Sequence, residues 1–483
     1  MTKFEPQSNK TLKRYEIPAW EGINTMVADN LVKRGELSFI ENARSTKIGW
    51  IEKRLGHTIL GDNLGATANY GLHDFVNNLH NLVRVSEVGS SIHIYRYSPA
   101  SNTWYQITTS AQTMSPAECD FTDAADRCFI VNGVDNNRYI EANGSTVVDS
   151  ANTGGLLFNS PKARLINKYK DRIYLADFFR PDNSRDRTGI CFSSPLLGIV
   201  SLVSGDQAAP LTSINVTDTK YIKVGSANDS IDVYRGGTLI GTLTVTAKTE
   251  NTLTISSFAT SLLSNDELWV SGTRNGAKVY RWDNKATGID VRQYDTFSNV
   301  SEEDTTLMAN VGNNMMIFTP NSISAYNGSF LQPLDLEIGC VSKNTFAKIM
   351  GQGIFLHYTG LYSTTGGAPK LLSAKIQQIF NNANPKSLER ATAAIKDYSY
   401  FCYIGDVLFY NADGTLKKQL SDVVVEYNLR QNNFFVHTDI PMSHFVKFTN
   451  NSQEILLFAK RSGVALGQSE QLYVGESVTV TVS

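Results

Sequence analysis

Paired carboxylates are the usual acid–base machinery for cleaving sugars, and the run Glu302-Glu303-Asp304 is a candidate for such a pair. Adjacent residues on a strand point to opposite faces, however, and the flanking Ser-Asn and Thr-Thr predict an exposed turn. The polar loop PDNSRDR at 181–187 has oxygen donors for a cation but lacks the aspartate spacing and glycine of a calcium loop, so it reads as a solvated turn. Seven histidines are scattered, and His93, His357 and His437 fall in aromatic strand-like runs, where a hydrogen-bonded structural role is expected. Five cysteines, Cys119, Cys128, Cys191, Cys340 and Cys402, are widely spaced with no CxxC pair, which predicts reduced core residues and no zinc site. No GxSxG elbow, phosphate-binding GxxxxGK[ST] loop or HExxH helix is present. These residues predict neither catalysis, nor a cofactor, nor a metal.

The elements that would position any site are strands. Apolar residues make up 41% of the 483 and charged residues 19%, with 10% aromatics and 35 glycines, a balance suited to short strands and tight turns. The formal charge of −2 leaves no electrostatic footprint for gripping a phosphate backbone, which argues against a sequence-reading DNA binder. The first twenty residues lack the apolar core of a signal peptide, and the longest apolar run, around 195–203, is too short to span a bilayer. A soluble chain made in the cytoplasm is expected.

Residues 1–60 read as an arm that packs on something else. From about residue 79 the pattern is strand, turn, strand, with Asn132-Gly133, Asn143-Gly144, Asn327-Gly328 and Asp413-Gly414 predicted as two-residue hairpin turns. IYRYSPASNTWYQI and VVEYNLRQNNFFVH share a template: a tyrosine, an asparagine five residues on, and an aromatic two beyond that. This is how outer strands of a propeller blade often look. Five further units at 163–178, 307–319, 346–358, 391–404 and 444–459 pair a strand with an aromatic strand across a polar turn. With 84–107 and 118–148 they predict an all-β chain, a six- to seven-bladed β-propeller, with a β-sandwich or a pair of them as the alternative.

Residues 203–283 break this rhythm with Thr- and Ser-rich short strands, predicting an inserted small barrel or sandwich between 61–202 and 284–483, the two parts of the propeller. Such an insertion is expected to project from one face, where a neighbouring subunit or a host surface is in reach. LLSAKIQQIFNN predicts a helical connector, stopped by the Asn384-Pro385 step.

Three stretches resemble the tail hub or nozzle proteins of short-tailed bacteriophages, also described as packaged-DNA stabilisation proteins. They are IPAWEGINTMVADNLVKRGELSFIENARSTKIGWIEKRLG, with Asn42, Arg54 and Gly56; ARLINKYKDRIYLADFFRPDNSRDRTGICFSSP; and residues 337–380, with a Gly-Cys pair, a glycine turn, an aromatic strand and an isoleucine-rich helix. Together they cover about half of the chain in pieces. The resemblance implies a non-enzymatic virion protein assembled in the host cytoplasm. It would form a ring, a hexamer in that family, below the portal-adaptor and next to distal needle or fibre proteins, retaining packaged double-stranded DNA and guiding its ejection without reading sequence. In such a ring Trp20, Asn24, Trp50 and Arg54 are the interface candidates, the two tryptophans reading equally as core residues. The competing function is a carbohydrate-binding or depolymerase propeller, although SPASNTW at 98–104 lacks the Asp and Gly of the sialidase turn it ends like. Another tail role, such as a stopper, is the third.

Overall fold

The computed structural model describes residues 22–25, 33, 36–37, 40–44, 52–53, 57–77, 80–107, 113–149, 156, 160–180, 182–196, 199–219, 222, 224, 230–271, 282, 295–410, 413–450, 453–460 and 472–475. Seven four-stranded antiparallel sheets follow one another along them. Blade 1 is Ala66–Val76, His80–Val88, Ser91–Ser98 and Thr103–Gln106. Blade 2 is Asp120–Ala124, Arg127–Val131, Arg138–Ile140 and Val147–Asp149. Blade 3 is Ala163–Tyr169, Arg172–Phe179, Arg185–Phe192 and, after a long excursion, Asp295–Ser298. Blade 4 spans Leu307–Val311 to Leu331–Asp335, blade 5 Ala347–Ile349 to Lys370–Leu371, and blade 6 Thr392–Lys396 to Asn433–His437. Blade 7 is Met442–Asn450, Gln453–Lys460 and Leu472–Gly475, and its fourth strand is His57–Ile59 from the other end of the chain.

Seven apolar seams join these sheets in a ring, as a β-propeller requires. Val83 meets Cys128 and Ile130 between blades 1 and 2; Phe129 meets Ile173 between 2 and 3; Tyr174 meets Met315 between 3 and 4. Phe318 meets Phe355 between 4 and 5, Ile354 joins the cluster of Tyr400 between 5 and 6, and Tyr403 joins that of Phe458 between 6 and 7. Leu457 and Tyr97 share the last seam, between 7 and 1, so the ring closes. Burial on both faces explains why central stretches such as Ile173–Ala176 and Met315–Phe318 are apolar throughout instead of alternating. Each large side chain sealed this way contributes roughly 1.5–3 kcal/mol.

The excursion from blade 3 forms a separate six-stranded sheet with Ile214, Ile231, Val233, Val245, Leu253 and Leu268 in its own core. Its strand Thr252–Phe258 does alternate at its start, with Leu253 and Ile255 buried and Thr254 between them exposed. The connector after blade 5 runs from Ser373–Ile376 into Gln377–Asn381, burying Ile376, Ile379 and Phe380 between blades 5 and 6. Asn384, extended before Pro385, caps the next short helix by accepting the Lys386 N–H.

Two expectations need correction. The last residues assigned to the arm, His57–Ile59, are the strand that closes blade 7. The Asn-Gly and Asp-Gly pairs are not turns with two positive φ angles, because only the glycines, such as Gly144 at +68° and Gly414 at +81°, are left-handed. The preceding side chain bends the loop instead: Asn143 Oδ1 accepts the N–H groups of Ser145 and Thr146, and Asn327 Oδ1 those of Ser329 and Phe330.

Candidate functional site

The shared blade template reappears as geometry. Tyr97 donates its hydroxyl to Asn102 Oδ1 at 2.8 Å, and Tyr427 to Asn432 Oδ1 at 2.9 Å. Both asparagines hold a φ near +50°, at 53° and 50°, and the returning aromatics, Trp104 and Phe434, pack on the tyrosines. These hairpins are the outer strands of blades 1 and 6, as expected, and their polar atoms are spent on holding the turn.

The chemistry-bearing residues converge elsewhere, on the axis. The first strand of each blade is innermost, since neighbouring first strands pack side by side around the ring. A cavity of about 370 Å³ opens among the first strands of blades 5, 6, 7 and 1, with His73, Asp74, Lys348, His444 and Lys447 on its wall. At the end where these strands begin, the axis is bridged. Lys343, entering blade 5, donates its ammonium to the Cys119 carbonyl at 2.7 Å and lies 3.7 Å from Asp120, both entering blade 2 on the far side. Asn344 reaches Glu118 at 3.4 Å beside it.

Two histidine–carboxylate pairs involve residues of this inner wall. His73 Nε2 lies 2.8 Å from Asp123 Oδ1, and His80 Nδ1 lies 2.7 Å from Asp74 Oδ2. Burial works to lower the His73 pKa, but the hydrogen bond and charge of Asp123 outweigh it and hold the imidazolium form above its ordinary range. Burial likewise raises Asp74, more than His80 lowers it, and the Asp74 Oδ1 atom is buried without a hydrogen-bond partner. His444 is the opposite of His73: burial pushes its pKa down, and Glu118, 3.8 Å away, offsets this only in part. The only grouping of three potential metal ligands among the described residues is His73, Asp123 and Cys128, whose donor atoms all lie within 4.8 Å of one another.

Apart from Cys119 and Cys128, the residues singled out from sequence lie away from this wall. Glu303 is a buttress, accepting hydrogen bonds from Thr319 Oγ1 and from the side chain and backbone of Asn321; these outweigh its desolvation and keep its pKa low. Asp304 faces Arg187 in an exposed pair at 3.1 Å. In the 182–187 loop Arg185 grips the buried Asp177, and Arg180 grips Asp186. His357 bonds to Thr359, His437 to Glu426, and all five cysteines are buried and free. Trp20, Trp50 and Arg54 lie outside the described residues. Asn24 is engaged within the chain, its side chain donating to Glu36 at 2.8 Å, while Glu36 also meets Lys375 of the connector. His73, Asp123 and Cys128 are brought together only because blades 1 and 2 are neighbours.

No family model matches the chain, and no curated protein matches it in sequence. Solved β-propeller structures resemble it distantly. The phage phi92 endosialidase is 8% identical, over 88% of this chain and 70% of its own, with a TM-score of 0.33. YCF48 bound to D1 peptide is 8% identical over 88% and 100%, with a TM-score of 0.39. BamB from Moraxella catarrhalis is 10% identical over 88% and 99%, with a TM-score of 0.32. Likeness at this level says nothing of activity or partners.

Proposed function

We propose that this chain is a structural, non-enzymatic subunit of the tail of a short-tailed bacteriophage, forming the nozzle or hub ring below the portal-adaptor. The observation that carries the reading is the placement of the arm segment. Residues 40–44 run along the outer edge of blade 6, where Asn42 exchanges hydrogen bonds with Thr438, its N–H donates to the Val436 carbonyl, and Glu41 pairs with Lys418. The chain then reaches the outer edge of blade 7 at His57–Ile59. These described residues of the arm therefore lie on the perimeter, where a neighbouring copy in a ring would pack. Phe330, Leu336 and Tyr410, each more than half exposed, add apolar contact surface.

The bridged axis fits the same reading. With Lys343 held across it, a duplex has no passage through one propeller, so a genome channel would run between copies arranged head to tail around it. Near-neutral charge suits a wall that DNA must slide past. Electron microscopy of the purified chain, alone and with its portal-adaptor, tests this. A closed ring of about six copies, alone or on the partner, is expected. A monomer that ignores the partner overturns it and favours the carbohydrate-binding alternative.

A further inference from the structure

The seam between blades 1 and 2 is built around three side chains that the proposed function does not use. Alternate residues of a strand share a face, so Gly71, His73 and Phe75 of blade 1 look toward blade 2, where Phe75 is fully buried. Facing them, Asp123 lies directly opposite Cys128 in the antiparallel register of blade 2, and Phe121 lies opposite Ile130. Gly71 leaves room for the Phe121 ring, which a Cβ there would meet at 2.6 Å. The ring consequently lies flat on the His73 imidazole, with centroids 5.1 Å apart and planes within 2°. His73 Nε2 is thereby aimed at Asp123 Oδ1, while Asp123 Oδ2 accepts the Val76 N–H at 3.2 Å.

We propose that His73, Asp123 and Cys128 form a binding site for a zinc-class divalent metal ion, with a fourth, water-filled position open toward the axial cavity that His73 lines. One nitrogen, one carboxylate oxygen and one sulfur suit a borderline-soft ion and do not suit calcium or magnesium, which take oxygen donors. Tetrahedral bonds of about 2.0–2.3 Å place ligand atoms roughly 3.3–3.8 Å apart, so the present spacing needs to change by no more than about an ångström. Asp74 and Asp120 lie near enough to His73 to add negative potential, with His80 paired to Asp74. Binding displaces the Cys128 thiol proton, and the His73 proton where it is present, into solvent, with no change of oxidation state. Because burial disfavours the free thiolate, affinity rises steeply with pH.

This site stands independently of the tail reading, and its test uses the full chain stripped of metal with a chelator. Titration with cobalt(II) is expected to give one ion per chain, a thiolate-to-cobalt charge-transfer band, and displacement by zinc. Cys128→Ser removes the band, His73→Ala weakens binding by about tenfold or more, and Cys402→Ser, a buried thiol elsewhere, changes nothing. X-ray absorption of the zinc-loaded wild-type chain needs no variant and is expected to show one sulfur in the first coordination shell. A shell of nitrogen and oxygen alone, absence of stoichiometric binding, or a band that survives Cys128→Ser overturns the proposal.

Discussion

His73–Asp123 and His437–Glu426 are the same kind of contact at nearly the same distance, 2.8 and 2.9 Å, in two parts of one ring. Their surroundings separate them. The His437 and Glu426 side chains are 2% and 4% exposed, with Ser399 donating to the carboxylate and Phe401 stacked over the imidazole. The His73 and Asp123 side chains are 25% and 29% exposed, beside a cavity and a thiol. A histidine and a carboxylate in contact therefore do not make a site by themselves. What distinguishes the axial pair is solvent access and a third donor; the outer pair is a sealed strut between two strands of blade 6.

The largest effect that can break this comparison is on stability. Glu426→Ala strands a buried imidazole and is expected to cost about 3–5 kcal/mol, against about 1–2 kcal/mol for Asp123→Ala at the half-open pair. Urea unfolding of the two variants measures the ranking. Equal costs would mean that both pairs are struts.

A smaller difference sits within the cavity wall, where His73 and His444 carry opposite pH dependences. His73 has a folded pKa above its ordinary 6.5, so its pairing stabilises the chain fully below pH 6.5 and less as pH rises through the raised value. His444 has a folded pKa below 6.5, so the stability tied to its neutral form is intact above that value and is lost as pH falls toward the lowered one. His73→Asn should therefore lose more stability relative to wild type at pH 5 than at pH 8. His444→Asn should compare better with wild type at pH 5 than at pH 8. Unfolding midpoints at the two pH values check both signs, and parallel behaviour of the variants would show that the two imidazoles share one environment.

How far the sequence reaches follows from the same contrast between local and distant neighbours. Strand–turn–strand rhythm, aromatic second strands and the Tyr97/Asn102 and Tyr427/Asn432 templates are local signals, and the all-β propeller read from them is the fold observed. The closing strand escaped because His57–Ile59 is three residues long and pairs with Leu472–Gly475 at the far end of the chain. At the Asn-Gly loops, composition marks a turn without saying whether one residue or two is left-handed, and only the glycine is. His73, Asp123 and Cys128 had no spacing to reveal them, since two belong to adjacent strands of blade 2 and the third to blade 1. Glu303, conspicuous in sequence, is tied up by Thr319 and Asn321, which the turn between the second and third strands of blade 4 supplies on folding.

The smallest expected difference lies between the two template hairpins themselves. Glycine tolerates the positive φ of either asparagine, so Asn102→Gly and Asn432→Gly each remove hydrogen bonding with little backbone strain. Asn432 Oδ1 receives the Tyr427 hydroxyl, whereas Asn102 Oδ1 receives both the Tyr97 hydroxyl and the Gly61 N–H. That second bond ties blade 1 to the segment just after the closing strand, and Asp62 reinforces it by accepting the Trp104 N–H at 2.7 Å. Asn432→Gly is therefore expected to cost about 1 kcal/mol, and Asn102→Gly about 0.5–1 kcal/mol more. The excess should disappear when His57–Ile59 is detached by truncating the chain before residue 60, because the Gly61 donor then loses its anchor. An excess that persists in the truncated chain would place the extra stability inside the blade 1 hairpin and not in the closure of the ring.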